Sequence, residues 1–207
     1  MLSLQTVSTN TLELLKKLQG QPSLDGMRLV GGTSLALQYG HRQSVDLDLF
    51  GSLPNTFDEV EAMLHTLGQY SILNKTSNIL QLIIEGVKVD IVNYGCYPWI
   101  DEPIKDNDLL LASPKDIAAL KINAIEGRGS KKDFVDIFVL LQHYSLDEIL
   151  GYYSQKYPNH SVFRALLSLT YFDDADQQAM PKMLIDTNWD DIKTIINNAV
   201  TEYQAKK

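Results

Sequence analysis

Two aspartates two residues apart carry the clearest chemical signal in this sequence. Asp46 and Asp48 lie in residues 45–50, where apolar and polar side chains alternate, and this alternation predicts a strand. Side chains at i and i+2 of a strand point to the same face, so the two carboxylates should lie about 7 Å apart. Like charges this close favour a cation between them. Mg²⁺ fits, because it binds carboxylate oxygens and completes its shell with water and substrate phosphates.

A third aspartate and a glycine pair extend this pattern. Asp90 is the single carboxylate of the apolar residues 87–92, and it becomes a third metal ligand if that strand lies beside the first. Upstream, Gly31-Gly32-Thr33-Ser34 follows the short apolar run 27–30, which predicts a strand that enters a tight turn before a helix. Exposed backbone N–H groups at such a turn, with the positive end of the helix, can hold a triphosphate. An Asp-x-Asp or a Gly-Gly turn alone is common, so the interpretation depends on the order of all these features.

A basic segment follows in the second half of the chain. Residues 121–132 hold three lysines and one arginine against one glutamate, in a chain whose formal net charge is -8. A cationic patch on an acidic protein suits a polyphosphate or an RNA end better than a long duplex. Lys121 borders the apolar stripe of its predicted helix, where a snorkelling lysine is the alternative. Asp136 lies within an apolar run and needs a partner, for which Lys121 and Arg128 are the candidates; a purely structural pair is also open.

Secondary-structure signals change at about residue 112. Before it, the sequence predicts helices at 10–19 and 33–38, a helix opened by a Thr56/Glu59 capping box, and strands at 27–30, 45–50, 69–74, 79–84 and 87–92. Glu85-Gly86 predicts a hairpin between the last two strands. After it, helices are predicted from Ser113-Pro114 to about 125, where Gly127 and Gly129 would break the helix, and at 131–143, from Ser145, at 161–170 and at 189–204. The prediction is an α/β lobe, 1–112, followed by an α-helical lobe, 113–207.

Composition excludes several classes of protein. The 207 residues are 44% hydrophobic and 21% charged, as in an ordinary globular protein. The acidic balance argues against a general nucleic-acid coat, and the single cysteine, Cys96, excludes an internal disulfide. No signal peptide and no run of about 18 apolar residues is visible. The expectation is a cytoplasmic protein without a membrane partner.

Three segments together resemble one family. GGTSLALQYGHRQSVDLDLF, VKVDIVNY and LASPKDIAALKINAIEGRGSKKDFVDIFVLL are similar to the AbiEii/AbiGii abortive-infection nucleotidyltransferase toxins, a branch of the polymerase-β-type nucleotidyltransferases, over about residues 27–143. The resemblance implies an α+β fold, with a polymerase-β-like lobe on a mixed sheet followed by the helical lobe. It also implies Mg²⁺, an NTP substrate, a tRNA, other RNA or protein acceptor, and a cognate antitoxin as partner.

The resemblance also assigns roles to residues. It implies metal ligands at Asp46, Asp48 and Asp90, which with Lys121 and Asp136 form the catalytic set, and nucleotide contacts at Gly31, Gly32, Thr33, Ser34, Arg42, Arg128 and Lys132. Lys121 and Arg128 are expected to face the three aspartates. His41 is expected to be a loop histidine, and Asp133 to favour the start of its helix. Two alternatives stay open, a small-molecule nucleotidyltransferase of the antibiotic-modifying kind and a non-catalytic nucleotide-binding module.

Overall fold

The computed structural model describes residues 1–53 and 57–206. The described helices are α1 (Thr9–Gln19), α2 (Gly31–Tyr39), α3 (Phe57–Leu67), α4 (Pro114–Arg128), α5 (Lys131–Leu141), α6 (Leu146–Lys156), α7 (Val162–Leu169), α8 (Asp173–Asp176) and α9 (Trp189–Ala205). The strands are β1 (Arg28–Val30), β2 (Leu47–Gly51), β3 (Tyr70–Lys75), β4 (Ile79–Ile84), β5 (Val87–Asn93), β6 (Ile104–Asp106) and β7 (Leu109–Leu111). Thr56, the first residue of the predicted capping box, lies outside the described residues.

The chain forms two compact units. The α/β unit consists of the described parts of Met1–Gly40, Ser44–Pro98 and Glu102–Ala112. The helical unit contains the described chain from Ser113 onward together with two short excursions, His41–Gln43 and Trp99–Asp101. These excursions were not predicted, because three-residue segments carry no periodicity.

The α/β unit is built on a mixed sheet with the strand order β3-β4-β5-β2-β1-β7-β6. β2 pairs with β5, and β1 with β7, in parallel, while the other neighbours are antiparallel. Alternation along β2 buries Leu47 and Leu49 and leaves Asp48 and Phe50 half-buried on the other face. The buried face forms one core with α1 and α3, so the carboxylates lie on the face opposite this core.

The β4–β5 hairpin confirms the turn predicted at Glu85-Gly86. Both residues have positive φ, 50° and 81°, as a two-residue turn between twisted strands requires. In contrast, β2 begins two residues later than predicted, at Leu47. Val45 is 66% exposed, so it does not belong to the buried face on which its apolar side chain would have placed it.

Helix starts in the helical unit follow the predicted capping residues. The Ser113 side chain accepts a hydrogen bond from the Asp116 backbone N–H, and Ser145 and Glu148 form a full capping box. The predicted break at Gly127 is wrong, because α4 continues to Arg128 and ends at Gly129, which is left-handed with φ 50°. Strands β6 and β7 and helix α8 were not predicted, since each has only three or four residues. Among the described residues, no helix is long and apolar enough to cross a bilayer.

Candidate active site

Two of the predicted ligands lie side by side in the sheet. Asp48 on β2 is in register with Asp90 on β5, and the two strands are parallel neighbours. Residues paired in this way point to the same face, and neighbouring strands are about 4.8 Å apart. Both side chains are half-buried. The pair therefore provides two adjacent carboxylates on the face away from the core.

Asp46 lies one residue before β2, so the strand alternation does not by itself fix its direction. Its carbonyl oxygen instead accepts a hydrogen bond from the Thr33 hydroxyl, whose oxygen also lies 2.8 Å from the Ser44 hydroxyl oxygen. The Asp46 side chain lines a surface pocket of about 340 Å³ together with Lys88. Thr33 on α2 thus fixes the position of the Asp46 backbone.

The glycine turn packs directly on the Asp48 carboxylate. Gly31 has φ +68°, and a Cβ placed there would clash with Asp48 Oδ2. Thr33 and Ser34 are fully buried, and Ser34 Oγ accepts a hydrogen bond from Gln38 Nε2 at 3.1 Å. Thr33 and Ser34 therefore stabilise the turn from the protein interior. The groups of this turn that remain available to a ligand are the backbone N–H groups of Gly31 and Gly32.

Asp90 has one satisfied and one unsatisfied oxygen. Oδ2 accepts hydrogen bonds from Gln81 Nε2 at 2.9 Å and from Lys88 Nζ at 3.2 Å. Oδ1 is buried and accepts no hydrogen bond from the part of the chain that the structure describes. A buried carboxylate oxygen without a donor is costly unless a ligand satisfies it. Asp90 therefore has a free carboxylate oxygen that can bind a metal ion.

Asp48 and Asp90 fit an Mg²⁺ ion that is shared with substrate phosphates, and not one that is held by protein ligands alone. Within residues 1–53 and 57–206, no group of three or more His, Cys, Asp or Glu side chains lies close enough together to hold a metal. Mg²⁺ is usually held by one or two carboxylates, with the remaining positions filled by water and substrate phosphates. Asp48 and Asp90 meet that lower requirement, and the phosphates would supply the rest.

Lys121 lies at the centre of a buried ionic network in the helical unit. Its Nζ contacts Asp133 Oδ1 at 2.7 Å and Asp136 Oδ2 at 2.6 Å, and the residue is 4% exposed. Arg128 Nε also contacts Asp133, at 2.9 Å, although 59% of the Arg128 side chain is exposed. Asp133 is the third residue of α5, as predicted, but it does more than favour the helix start, because it joins two cations.

Asp136 holds the first excursion segment through the same network. Arg42 contacts both of its carboxylate oxygens, Nε to Oδ1 at 2.7 Å and an Nη to Oδ2 at 2.9 Å, and His41 Nε2 lies 2.8 Å from Oδ1. The segment is further fixed by hydrogen bonds from Gln43 N to Lys182 O and from Leu184 N to His41 O. His41 lies outside helices and strands, but it is buried.

The charges of this network shift the pKa values of its members. Burial by itself would raise the pKa of both carboxyls, but neighbouring cations outweigh that effect. Lys121 acts on both, Arg42 acts on Asp136, and Arg128 acts on Asp133. The pKa of Asp136 lies well below 3.8, and that of Asp133 is also lowered. Burial by itself would lower the pKa of Lys121, but the two carboxylates raise it above 10.5. All three groups therefore stay charged across the neutral range.

A second buried ion pair was missed by sequence reasoning. Lys156 Nζ contacts Asp116 Oδ1 at 2.8 Å, and neither side chain is exposed. The Asp116 carboxylate also accepts hydrogen bonds from the backbone N–H groups of Ile100 and Asp101, and Lys156 Nζ lies 4.7 Å from the centre of the Trp99 ring. This pair fixes the excursion 99–101, as Asp136 fixes 41–43. In the sequence, both residues look like ordinary charges near helix ends.

The basic segment divides into buried and exposed members. Lys121 and Lys131 are buried, and Lys131 Nζ lies 4.8 Å from the centre of the Trp189 ring. Arg128 and Lys132 are exposed. Arg128 also lines a surface pocket of about 530 Å³ with Tyr171. The exposed pair is the part of the segment that a ligand can reach from solvent.

Comparison with known proteins identifies the family. The family model described as nucleotidyl transferase AbiEii toxin, type IV TA system, matches residues 13–194. An uncharacterized protein of Aquifex aeolicus is 32% identical over 197 residues, which cover 92% of this chain and 94% of that protein.

Solved structures show the same fold. MenT4, a nucleotidyltransferase toxin of Mycobacterium tuberculosis, has a TM-score of 0.59 at 12% identity and covers 92% of this chain and 81% of its own. JHP933 from Helicobacter pylori has a TM-score of 0.56 at 20% identity and covers 100% of this chain and 94% of its own. The predicted α+β fold of the polymerase-β type is confirmed. The chain is a nucleotidyltransferase and belongs to the AbiEii nucleotidyltransferase toxin family.

Proposed function

We propose that this toxin-family enzyme uses Mg²⁺ to move an NMP from an NTP to an acceptor, and that the acceptor is RNA. The observation that carries the proposal is the in-register pair of Asp48 and Asp90. The Gly31 turn packs on the first of these carboxylates, and the second has an oxygen without a donor. A non-catalytic nucleotide-binding module has no need of an unsatisfied buried carboxylate oxygen beside a second carboxylate.

In the proposed reaction, an acceptor hydroxyl attacks the α-phosphorus and pyrophosphate leaves on the opposite side. Bound Mg²⁺ would polarise the α-phosphate and offset the charge of the attacking and leaving oxygens. Asp48 and Asp90 are the proposed metal ligands; among the described residues, Asp46, the third predicted ligand, does not form a three-carboxylate group with them. Asp90 also accepts the proton of the acceptor hydroxyl as the new P–O bond forms and the bond to the β-phosphate breaks.

The proposed phosphate contacts come from backbone and from cations. Gly31 and Gly32 offer their N–H groups at the start of α2, where the helix dipole favours an anion. Arg128 and Lys132 are the exposed cations of the basic segment. The network joins Arg42, Lys121 and the exposed Arg128 to two buried carboxylates. This surplus positive charge supports the proposed role of Lys121 in offsetting charge on leaving pyrophosphate.

Exposed aromatic and basic side chains of the helical unit favour RNA over protein as acceptor. Tyr171 shares the pocket with Arg128 and is 52% exposed. On α7, Phe163 and Arg164 are also exposed. Unpaired bases stack on aromatic rings and on guanidinium planes, and a nearby cation attracts the phosphates. We include a cognate antitoxin and a cytoplasmic location in the proposal, because both follow from toxin–antitoxin family membership.

A labelling experiment tests the proposal. The protein is incubated with Mg²⁺, each α-³²P-labelled NTP in turn, and one of three acceptors: total RNA, total protein or a small cationic compound. Labelled RNA is the expected result, and it should disappear with excess chelator. Labelled protein would overturn the choice of acceptor. Label on a small cationic compound would favour the antibiotic-modifying alternative, because a cationic acceptor complements the net charge of -8.

A further inference from the structure

Three aromatic rings lie on the face of the sheet that carries the two carboxylates. Phe50 follows Asp48 by two residues within β2, so alternation directs it to the same face. Tyr94 lies one residue after β5 and packs beside Phe50. The ring centres of Phe50 and Tyr94 are 5.0 Å apart. Tyr97 stacks on Tyr94 with a centre distance of 4.7 Å and an angle of 27° between the planes.

The outermost ring is exposed but held in place. Tyr94 is buried, whereas Tyr97 is 38% exposed. Tyr94 N donates to Gly51 O at 2.7 Å, and Tyr97 N donates to Tyr94 O at 3.1 Å, which closes a turn. A Cβ on Gly95 would lie 2.7 Å from Ser52 Oγ, so this turn packs closely on the end of β2. Tyr97 is therefore an accessible ring on a preorganised support.

The order of features along the sheet matches the order of groups in an NTP. β1 is antiparallel to β2, with Val30 opposite Asp48 and Arg28 opposite Phe50. Gly31, which follows Val30, therefore lies on the side of Asp48 away from Phe50. The glycine turn, the carboxylates and the aromatic rings follow one another in one direction, as terminal phosphates, α-phosphate and base do in a nucleotide. One residue pair along a strand covers roughly 7 Å.

We propose that Tyr97, supported by Tyr94 and Phe50, is the platform on which the base of the NTP stacks. This inference rests on the proposed function, because it assigns the base position of the same nucleotide site. Stacking requires a ring and tolerates every base. Tyr97 therefore contributes to affinity for all four NTPs, and the phenol hydroxyl is not needed.

The test compares ligands with and without a base. Dissociation constants for the four NTPs and for inorganic tripolyphosphate are measured by calorimetry with Mg²⁺ present. The proteins are the wild type, Tyr97→Phe and Tyr97→Ala, with Ile185→Ala as a control that truncates a similarly exposed side chain of the helical unit. Circular dichroism checks that each variant is folded.

The expected result separates the base from the phosphates. Tyr97→Ala should weaken NTP binding by about 10-fold and leave tripolyphosphate binding unchanged, while Tyr97→Phe and Ile185→Ala bind like the wild type. If Tyr97→Ala binds NTPs with wild-type affinity, or loses as much affinity for tripolyphosphate as for NTPs, the stacking role is overturned while the proposed function stands. A wild type that binds no NTP overturns the proposed function and this inference with it.

Discussion

Asp136 is a buried carboxylate whose loss should destabilise the helical unit. It receives Lys121 Nζ at 2.6 Å and two contacts from Arg42, at 2.7 and 2.9 Å, and it is fully buried. Asp136→Asn keeps the shape and removes the charge, so both cations lose a counter-ion away from water. Breaking a buried pair by removing one partner costs about 3–5 kcal/mol, which for a chain of this size lowers Tm by roughly 6–20 °C.

The assay is thermal unfolding, with Asp186→Asn as the matched control. Asp186 is exposed, so the same chemical change there should alter the free energy of unfolding by less than about 0.5 kcal/mol. A double-mutant cycle between Asp136→Asn and Arg42→Gln should give a coupling energy well above zero. If Asp136→Asn unfolds within 2 °C of the control, the network does not contribute to stability as argued.

The same network predicts the pH dependence of stability. The pKa of Asp136 is depressed in the folded state, so its contribution is present above the ordinary value of 3.8 and is lost as pH falls below it toward the folded pKa. Wild-type stability should therefore decline at acid pH, and part of that decline should be missing in Asp136→Asn. An identical acid limb in both proteins would show that Asp136 is not the group responsible.

Three further substitutions have defined outcomes. Gly31→Ala should abolish transfer, because the new Cβ clashes with the Asp48 carboxylate. Gly86→Ala is the control, since Gly86 has φ +81° and no atom within 4 Å of the new Cβ, so that variant has backbone strain without a clash. Equal activity of the two variants would show that the clash does not matter. Lys156→Met leaves its buried carboxylate partner unpaired and should cost about 3–5 kcal/mol in denaturant unfolding, and a loss below 1 kcal/mol would show that the hydrogen bonds to that carboxylate suffice without the lysine. Gly127→Ala, in an exposed and unobstructed helix position, should raise Tm through a gain of up to about 1 kcal/mol, so a lower Tm would refute the helix-propensity argument.

The sequence predicted those parts of the fold that depend on local chemistry. The strands of the β4–β5 hairpin, its turn at Glu85-Gly86 and the Ser145 cap depend on neighbours within a few residues. Asp136 could be assigned a need for a partner, because it interrupts an apolar run. Its partners could be only partly named, since Arg42 and His41 lie 94 and 95 residues away.

The rest of the site depends on long-range pairing. The register that sets Asp48 opposite Asp90 joins strands separated by another helix and two strands. The buried pair of Asp116 and Lys156 spans 40 residues, and neither residue has an unusual local context. Sequence periodicity reports which face a residue occupies, but it does not report which distant residue meets it there.

We propose that Asp48 and Asp90 form the reacting centre, and transfer rate and NTP affinity measured on the same variants test this assignment. The rate of ³²P-NMP transfer and the NTP dissociation constant are measured together for the wild type, Asp48→Asn, Asp90→Asn and the exposed control Asp186→Asn. Asp90→Asn should reduce turnover by roughly 10³-fold or more with a much smaller loss of NTP affinity, and Asp48→Asn should reduce both. Transfer at the wild-type rate by Asp90→Asn would show that Asp90 is not part of the reacting centre.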